Sequence, residues 1–168
     1  MIRPVGEFTD TALYLDTMVP YALLRGIDPA ARVLFARLQA CEFVAYTSVL
    51  TFDELSYRLL LALIRDQYGG SPLERLRQDE AAMIAMFYPR LAPQLARLRA
   101  FPNLFLVDLV ASDLDVMDAM MSRYQLRPRD ALHVAAMHRS GCFNLVSNDA
   151  DFDRVPSIQR YMLAAAGA

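Results

Sequence analysis

Four acidic residues that are far apart in the sequence occupy comparable positions next to predicted strands and helices. Asp16 and Asp149 each follow a short apolar run, whereas Glu54 and Asp130 lie near the starts of predicted helices. Carboxylates held close together repel one another unless a cation lies between them. Oxygen ligands of this kind suit Mg²⁺ or Mn²⁺. A metal held by such a set can activate water and stabilise charge in a phosphoryl displacement, so metal-assisted phosphate chemistry is what these residues predict.

The elements that must position these acids alternate between short apolar strands and longer amphipathic helices. This alternation predicts an α/β fold with a mainly parallel sheet. The predicted strands cover residues 12–15, 43–46, 104–107 and 143–146, with a last strand or helical turn at 159–163. The predicted helices cover about 19–25, 29–40, 49–66, 72–88, 93–99, 113–124 and 128–140. In an open sheet of this kind, ligands bind in the crevice beyond the carboxyl ends of the strands, where the acids should meet.

The break predicted after residue 88 depends on two prolines. Pro89 and Pro93 lack the backbone N–H that a helix interior requires, and their rings clash with the preceding turn. We therefore expect the helix that starts at Pro72 to end before Pro89, and a second piece to follow from Pro93.

Neighbouring acids could replace two of the four. Asp53 precedes Glu54, but the helical phase favours Glu54. Asp151 and Asp153 follow Asp149 in the same loop, and Asp149 is the first choice. We expect Asp151 to orient another ligand or to reach the metal through a water, and Asp153 to face solvent or pair with the adjacent arginine.

Other polar residues near the acids have two interpretations each. His133 lies three residues after Asp130 and hence on the same helix face. It could be a general base or a ligand, but a satisfied, partly buried structural histidine is favoured. Arg123, Arg127 and Arg129 could contact phosphate, or they could simply solvate a helix end, which we favour. The sequence contains no Cys-x-x-Cys motif, glycine-rich phosphate loop or nucleophile elbow that would indicate a different chemistry.

The composition indicates one folded domain. The 168 residues are 55% hydrophobic and 21% charged, which excludes a disordered chain. A formal net charge of −2 gives no global basic footprint of the kind that DNA-binding domains carry, which argues weakly against plain electrostatic binding of nucleic acid. No apolar run reaches the roughly 20 residues that span a bilayer, and no signal-peptide pattern is present, so we expect a cytoplasmic protein without membrane contact.

Cys41 and Cys142 are expected to be buried free thiols.

Four segments of the chain resemble PIN-domain proteins, and in particular the VapC-like toxins of toxin–antitoxin modules. They are LYLDTMV at 13–19, TFDELSYRLL at 51–60, RPRDALHVAAMHRSGC at 127–142 and LVSNDADFDRVP at 145–156. They occur in the order that the family shows and extend over nearly the whole chain.

The resemblance implies a three-layer α/β/α domain over residues 11–163, with an N-terminal extension at 1–10 and a C-terminal tail at 164–168. Members of the family are metal-dependent ribonucleases, usually homodimers, and are often inhibited by a cognate antitoxin. The resemblance therefore implies an RNA substrate, Mg²⁺ or Mn²⁺ as the cofactor, and a cognate antitoxin and a second copy of the chain as partners. The helices within 72–99 are candidates for these protein contacts.

Carried over residue by residue, the resemblance assigns metal binding and catalysis to four acids: Asp16, Glu54, Asp130 and Asp149. Thr17 and Ser147 match positions where a hydroxyl often supports the site. Asp151 is a further candidate ligand of the metal.

Two other functions are compatible with the same sequence. The family often has Asn where this chain has Met18, so a catalytically degenerate PIN module that acts as a binding partner is one alternative. The other is a different phosphate-handling enzyme, such as an aspartyl phosphatase, in which the acid after the first strand is the nucleophile. The positions of Glu54 and Asp130 fit this second alternative poorly.

Overall fold

The computed structural model describes residues 3–163, and the predicted tail at 164–168 lies outside this range. Within it, one parallel sheet has the strand order β1-β6-β5-β2-β3-β4. The strands are β1 (Arg3–Pro4), β2 (Ala12–Leu15), β3 (Val44–Ser48), β4 (Leu104–Val107), β5 (Asn144–Val146) and β6 (Gln159–Met162). The predicted parallel sheet is confirmed, and residues 159–162 form a strand.

Helices cover both faces of this sheet, which makes the predicted three-layer α/β/α architecture correct. They are α1 (Met18–Arg25), α2 (Pro29–Gln39), α3 (Val49–Tyr68), α4 (Pro72–Gln78), α5 (Glu80–Arg99), α6 (Asp113–Tyr124) and α7 (Pro128–Ser140). None of the helices in the described part of the chain is both long and apolar enough to cross a membrane.

The alternation of side chains along β2 separates two hydrophobic clusters. Leu13 and Leu15 point to the face that α1 to α5 cover, whereas Tyr14 points to the face that α6 and α7 cover. Successive side chains of a strand point to opposite faces of the sheet, so Asp16, which continues this alternation, belongs on the same side as Tyr14. That side also carries α7, which contains Asp130.

Helix α7 has the bounds that its sequence predicts. Pro128 occupies the first turn, where its missing N–H has no intrahelical partner to lose, and Asp130 lies in the same turn. Gly141 ends the helix in the left-handed conformation, at φ 65°, and its N–H bonds to the helix carbonyls. The two ends together fix the position of Asp130 relative to β5, which starts three residues after Gly141.

The predicted helix break at Pro89 is wrong. Helix α5 continues through Pro89 and Pro93, and the break lies at Asp79, whose side chain caps α5 by accepting the N–H of Ala82. Both prolines are exposed, so water can solvate the carbonyls that lose their partners. The buried face of the helix stabilises it instead, through Met83, Phe87, Leu91 and Leu98.

Residues before the first predicted strand contribute to the sheet and to its core. β1 pairs with β6 through Arg3 and Pro4, and the side chains of Val5 and Phe8 are buried. The ring of Phe8 packs edge-to-face on Tyr161 of β6. The segment that we expected to be an extension therefore packs as part of the domain from residue 3 onward.

The two cysteines are free, as predicted, but they differ in exposure. Cys142 is buried and Cys41 is exposed, so the prediction of a buried thiol is wrong for Cys41. Cys41 lies in the turn that follows α2, with φ 60°, and this turn is at the surface.

Candidate metal centre

The strand order determines where the site forms. The chain runs outward from β2 through β3 to β4 and then returns to β5, which pairs with the other side of β2. The carboxyl ends of β2 and β5 therefore flank a topological switch point, where open α/β sheets form a crevice for ligands. Asp16 directly follows β2 and Asp149 lies three residues after the end of β5, so both acids lie at this crevice.

One group of side chains at the crevice combines Asp16, Glu54 of α3 and His133 of α7. Each offers one potential ligand atom, and these atoms lie within 4.8 Å of one another. The Nε2 atom of His133 is 3.3 Å from Oε2 of Glu54 and 4.0 Å from Oδ1 of Asp16. We call these three residues the first group.

Thr17 holds both acids of the first group. Its backbone N–H donates to Oδ1 of Asp16 at 2.6 Å, and its hydroxyl donates to Oε2 of Glu54 at 2.5 Å. Because Thr17 is buried, these bonds fix the orientation of both carboxylates. The next residue, Met18, packs against the core, and the carboxylate of Asp16 is instead supported by hydrogen bonds from Thr17 and Ser147.

A second group consists of Asp130, Asp149 and Asp151, whose nearest carboxylate oxygens also lie within 4.8 Å of one another. The side chain of Asp149 accepts the N–H of Asp151 at 2.9 Å, which fixes the turn that carries both residues. Asp151 in addition forms an ion pair with Arg154 at 2.6 Å. Asp149 therefore keeps more of its charge available to a ligand than Asp151 does.

Ser147 connects the two groups. Its hydroxyl donates to Oδ2 of Asp16 at 2.6 Å and accepts the N–H of Asp149 at 3.0 Å. The side chain is fully buried, so neither bond competes with water. The structure thus brings Thr17 and Ser147, which the resemblance marks as supporting residues, into direct contact with the acids.

The surroundings of Asp130 show that the second group fits a cation. Burial, together with the negative charges of Asp149 and Asp16, raises the pKa of Asp130 to about 6. Its Oδ2 atom is buried and accepts no hydrogen bond within residues 3–163. A buried carboxylate oxygen without a partner is destabilising, and a hard divalent cation would satisfy it.

The pKa of Glu54 is shifted in the opposite direction to that of Asp130. Burial raises its pKa, but hydrogen bonds with His133 and Thr17 and the charge of Arg129 outweigh this effect and bring the pKa down to about 2. Glu54 is therefore ionised at every pH at which the protein would work. The crevice thus pairs one acid that is held in its charged form with another whose charge is not compensated.

Asp53, the alternative to Glu54, points away from both groups. Its side chain is 70% exposed, whereas that of Glu54 is 15% exposed. Arg129 lies between them, 3.7 Å from Asp53 and 3.4 Å from Glu54. This placement favours Glu54 as the functional acid, in agreement with the helical phase.

Arg160 is a buried charge that the sequence analysis missed. Its side chain forms two hydrogen bonds of 2.7 Å with Asp153 and donates to the carbonyl oxygen of Ser147 at 3.0 Å. Asp153 therefore pairs with Arg160 and not with its neighbour Arg154. These bonds join β6 to the loop that carries Asp149, and they would keep this loop rigid.

Tyr14 was also missed as a residue of the site. Its hydroxyl lies 3.0 Å from Nδ1 of His133, and both side chains are buried. The strand period contains the signal, because Tyr14 lies two residues before Asp16 and hence on the same face. We expected a partly buried structural histidine, but His133 is fully buried and its other nitrogen lies beside two of the acids.

The Ser147→Ala variant tests the connection between the two groups. We expect it to lower metal affinity by about 10–100-fold, the usual effect of removing a residue that orients a ligand. It should also lower the free energy of unfolding by about 1–3 kcal/mol, because the N–H of Asp149 loses its acceptor. Calorimetric titration with Mn²⁺ and urea unfolding measure the two effects.

Ser140→Ala is the control for this variant, because the Ser140 hydroxyl donates to the carbonyl of Met137 within its own helix, at the far end of α7 from the acids. Unchanged Mn²⁺ affinity in Ser147→Ala would contradict the connecting role of Ser147.

Comparison with known proteins agrees with this architecture. A family model described as "PIN domain" matches residues 13–158, which is most of the chain. Among curated proteins, none matches this sequence.

Solved structures with a similar fold come from several bacteria. VapBC2 from Rickettsia felis, bound to a DNA fragment from its promoter, has a TM-score of 0.57 and 13% identity, with 90% of this chain and 98% of that chain covered. A toxin–antitoxin complex from Klebsiella pneumoniae has a TM-score of 0.52 and 17% identity, with 88% and 95% covered. VapC20 from Mycobacterium tuberculosis, described as a toxin that cleaves the sarcin–ricin loop, has a TM-score of 0.55 and 19% identity, with 84% and 92% covered. At these identities the likeness establishes the fold.

Proposed function

Because the chain belongs to the PIN-domain family, we propose that it is a divalent-metal-dependent endoribonuclease and the toxin of a toxin–antitoxin pair. The observation that supports this proposal best is the meeting of four carboxylates at one crevice, where one buried oxygen of Asp130 has no hydrogen-bond partner among residues 3–163. A protein gathers such charges where a cation offsets their repulsion.

Asp16, Glu54, Asp130 and Asp149 would hold one or two Mg²⁺ or Mn²⁺ ions, with Asp151 as an outer ligand. A bound ion would lower the pKa of an attacking water and offset the negative charge of the scissile phosphate.

The protein's own side chains would orient the ligands and receive the substrate. Thr17 and Ser147 hold the carboxylates of Asp16 and Glu54 in place, so that little reorganisation is needed when substrate binds. Arg129 lies at the rim beside Glu54 with a side chain that is 60% exposed. A guanidinium in this position would bind a phosphate oxygen of an RNA strand entering the crevice, although the chain as a whole is slightly acidic.

The proposed partners are a cognate antitoxin and a second copy of the chain. The support is the likeness to solved toxin–antitoxin complexes, together with the apolar side chains that α3, α5 and β4 expose, among them Val49, Tyr88 and Leu106. These residues line a groove with a cavity of about 350 Å³. We further propose that the protein acts in the cytoplasm, where its substrate is found. Sedimentation of the purified chain measures the proposed dimer.

Cleavage of a structured RNA pool in Mn²⁺, with and without EDTA, tests the proposed activity. We expect EDTA to abolish cleavage and Glu54→Gln to lower it by at least about 100-fold. Removing a metal ligand should have a larger effect than removing a residue that only orients a ligand. Asp53→Asn is the matched control, because it removes the neighbouring acid that points to solvent. Cleavage that survives both EDTA and Glu54→Gln would contradict the proposal.

Two other outcomes would favour the alternatives. Correctly folded protein that binds no metal and cleaves no RNA would indicate a degenerate binding module. Trapping of an aspartyl-phosphate mimic on Asp16 would indicate a phosphate-handling enzyme with a nucleophilic acid.

A further inference from the structure

His133 is unusual in the crevice because it offers nitrogen where the other candidate ligands offer oxygen. Its side chain is buried, and Nε2 points towards Oε2 of Glu54 and Oδ1 of Asp16, at 3.3 and 4.0 Å. Two atoms bound to one ion at about 2.1 Å can lie up to about 4.2 Å apart. Both distances are therefore short enough for His133 to share an ion with either acid.

The other ring nitrogen of His133 has an oxygen partner, as the second nitrogen of a metal-binding histidine usually does. Nδ1 lies 3.0 Å from the hydroxyl of Tyr14, and the two rings meet edge-to-face, with centroids 5.9 Å apart. A histidine that binds a metal usually donates its second N–H to an oxygen, which fixes both the tautomer and the ring orientation. When the Tyr14 oxygen accepts from Nδ1, the lone pair of Nε2 points at the two carboxylates.

We propose that Nε2 of His133 is a ligand of the metal that Asp16 and Glu54 hold, and that the centre consequently prefers a first-row transition ion such as Mn²⁺ or Co²⁺ to Mg²⁺. Imidazole nitrogen favours transition ions, whereas carboxylate and water alone suit Mg²⁺. This inference rests on the proposed metal site and adds the identity of one ligand and the class of ion. The simpler role, a hydrogen-bond donor to Glu54, predicts no bond between nitrogen and metal.

Pulsed EPR of Mn²⁺ bound to the full chain distinguishes the two roles. The chain has two histidines, and the second, His138, is exposed at the other end of α7 beside Phe143. We expect the nitrogen coupling of a coordinated imidazole in the wild type, and a change in that coupling when the histidines are labelled with ¹⁵N. The coupling should persist in His138→Gln and disappear in His133→Gln.

The result does not depend on whether His133→Gln folds, because a coupling that persists in labelled His138→Gln can come only from His133. Where His133→Gln does fold, its Mn²⁺ affinity should fall by at least about tenfold, and its Mg²⁺ affinity should change less. Calorimetric titration of each ion measures this difference.

The remaining outcomes overturn the inference in distinguishable ways. Bound Mn²⁺ without imidazole coupling would show that His133 is only a hydrogen-bond donor, while the proposed metal site would stand. Coupling that His138→Gln abolishes would place the nitrogen ligand elsewhere. Absence of Mn²⁺ binding would overturn both this inference and the metal dependence of the proposed function.

Discussion

The Asp130→Asn variant is expected to lose RNA cleavage by at least about 100-fold and, without metal, to be more stable than the wild type at neutral pH. The loss follows from removal of a ligand. The gain follows from the raised pKa of Asp130, which burial and the charges of Asp149 and Asp16 bring to about 6. At neutral pH this carboxylate is ionised, although burial and the neighbouring carboxylates disfavour its charge. A neutral amide of similar shape removes the repulsion from Asp149 and Asp16.

The stabilisation should depend on pH with a defined sign. A carboxyl whose pKa is higher in the folded state stabilises the fold while it is protonated, and this contribution is lost as the pH rises from about 4 through about 6. The Asp130→Asn variant has no carboxyl at this position, so its stability does not contain this pH-dependent contribution. The difference in free energy of unfolding between variant and wild type should therefore increase over this interval, to about 1–2 kcal/mol after allowance for partial exposure.

Urea unfolding in EDTA at pH 4.5 and at pH 7.5 measures this difference. Asp118→Asn, which removes an exposed acid of α6, is the control and should give the same small difference at both pH values. Mn²⁺ should stabilise the wild type more than Asp130→Asn, because it binds the folded state. An Asp130→Asn variant that is less stable than the wild type at pH 7.5 would contradict the electrostatic account.

The positions of the acids at the edge of the sheet were accessible from the sequence because they depend on local signals. Short apolar runs predict strands, and parallel strands direct their carboxyl ends to one edge of the sheet. Asp16 and Asp149 follow such runs, and the pattern around α7 fixes Asp130 between Pro128 and Gly141. None of these signals depends on contacts between distant segments. The fold class and the meeting of the acids could therefore be predicted from the sequence.

The features that escaped prediction depend on contacts between distant segments or on packing that overrides a local rule. Tyr14 and His133 meet across 119 positions of sequence. The strand period puts Tyr14 on the same face as Asp16, but no local signal indicates that its partner is His133. β1 has two residues, too few to show the alternation that identifies a strand. In α5, the buried stripe of apolar residues outweighs the local effect of Pro89 and Pro93.

The Asp16→Asn variant should lose cleavage as severely as Asp130→Asn does, but with the opposite effect on stability. Asp16 accepts the N–H of Thr17 on one oxygen and the hydroxyl of Ser147 on the other. Asparagine has only one oxygen, so its NH₂ group must face one of these donors. Because Ser147 already accepts the N–H of Asp149, it is poorly placed to accept from this NH₂ group as well. The free energy of unfolding should therefore fall by about 1–3 kcal/mol.

The contrast between the two variants separates the functional from the structural role of each acid. Both replace a candidate ligand by its neutral isostere, so the loss of a ligand predicts inactivity in both. Their stabilities diverge because the carboxylate of Asp16 accepts hydrogen bonds from two neighbours, while Oδ2 of Asp130 is buried with no partner in the described part of the chain. Unfolding of both metal-free variants at pH 7.5, beside RNA cleavage in Mn²⁺, measures the contrast. Equal shifts in the same direction would show that the hydrogen-bonding of the two carboxylates does not determine their contributions to the fold.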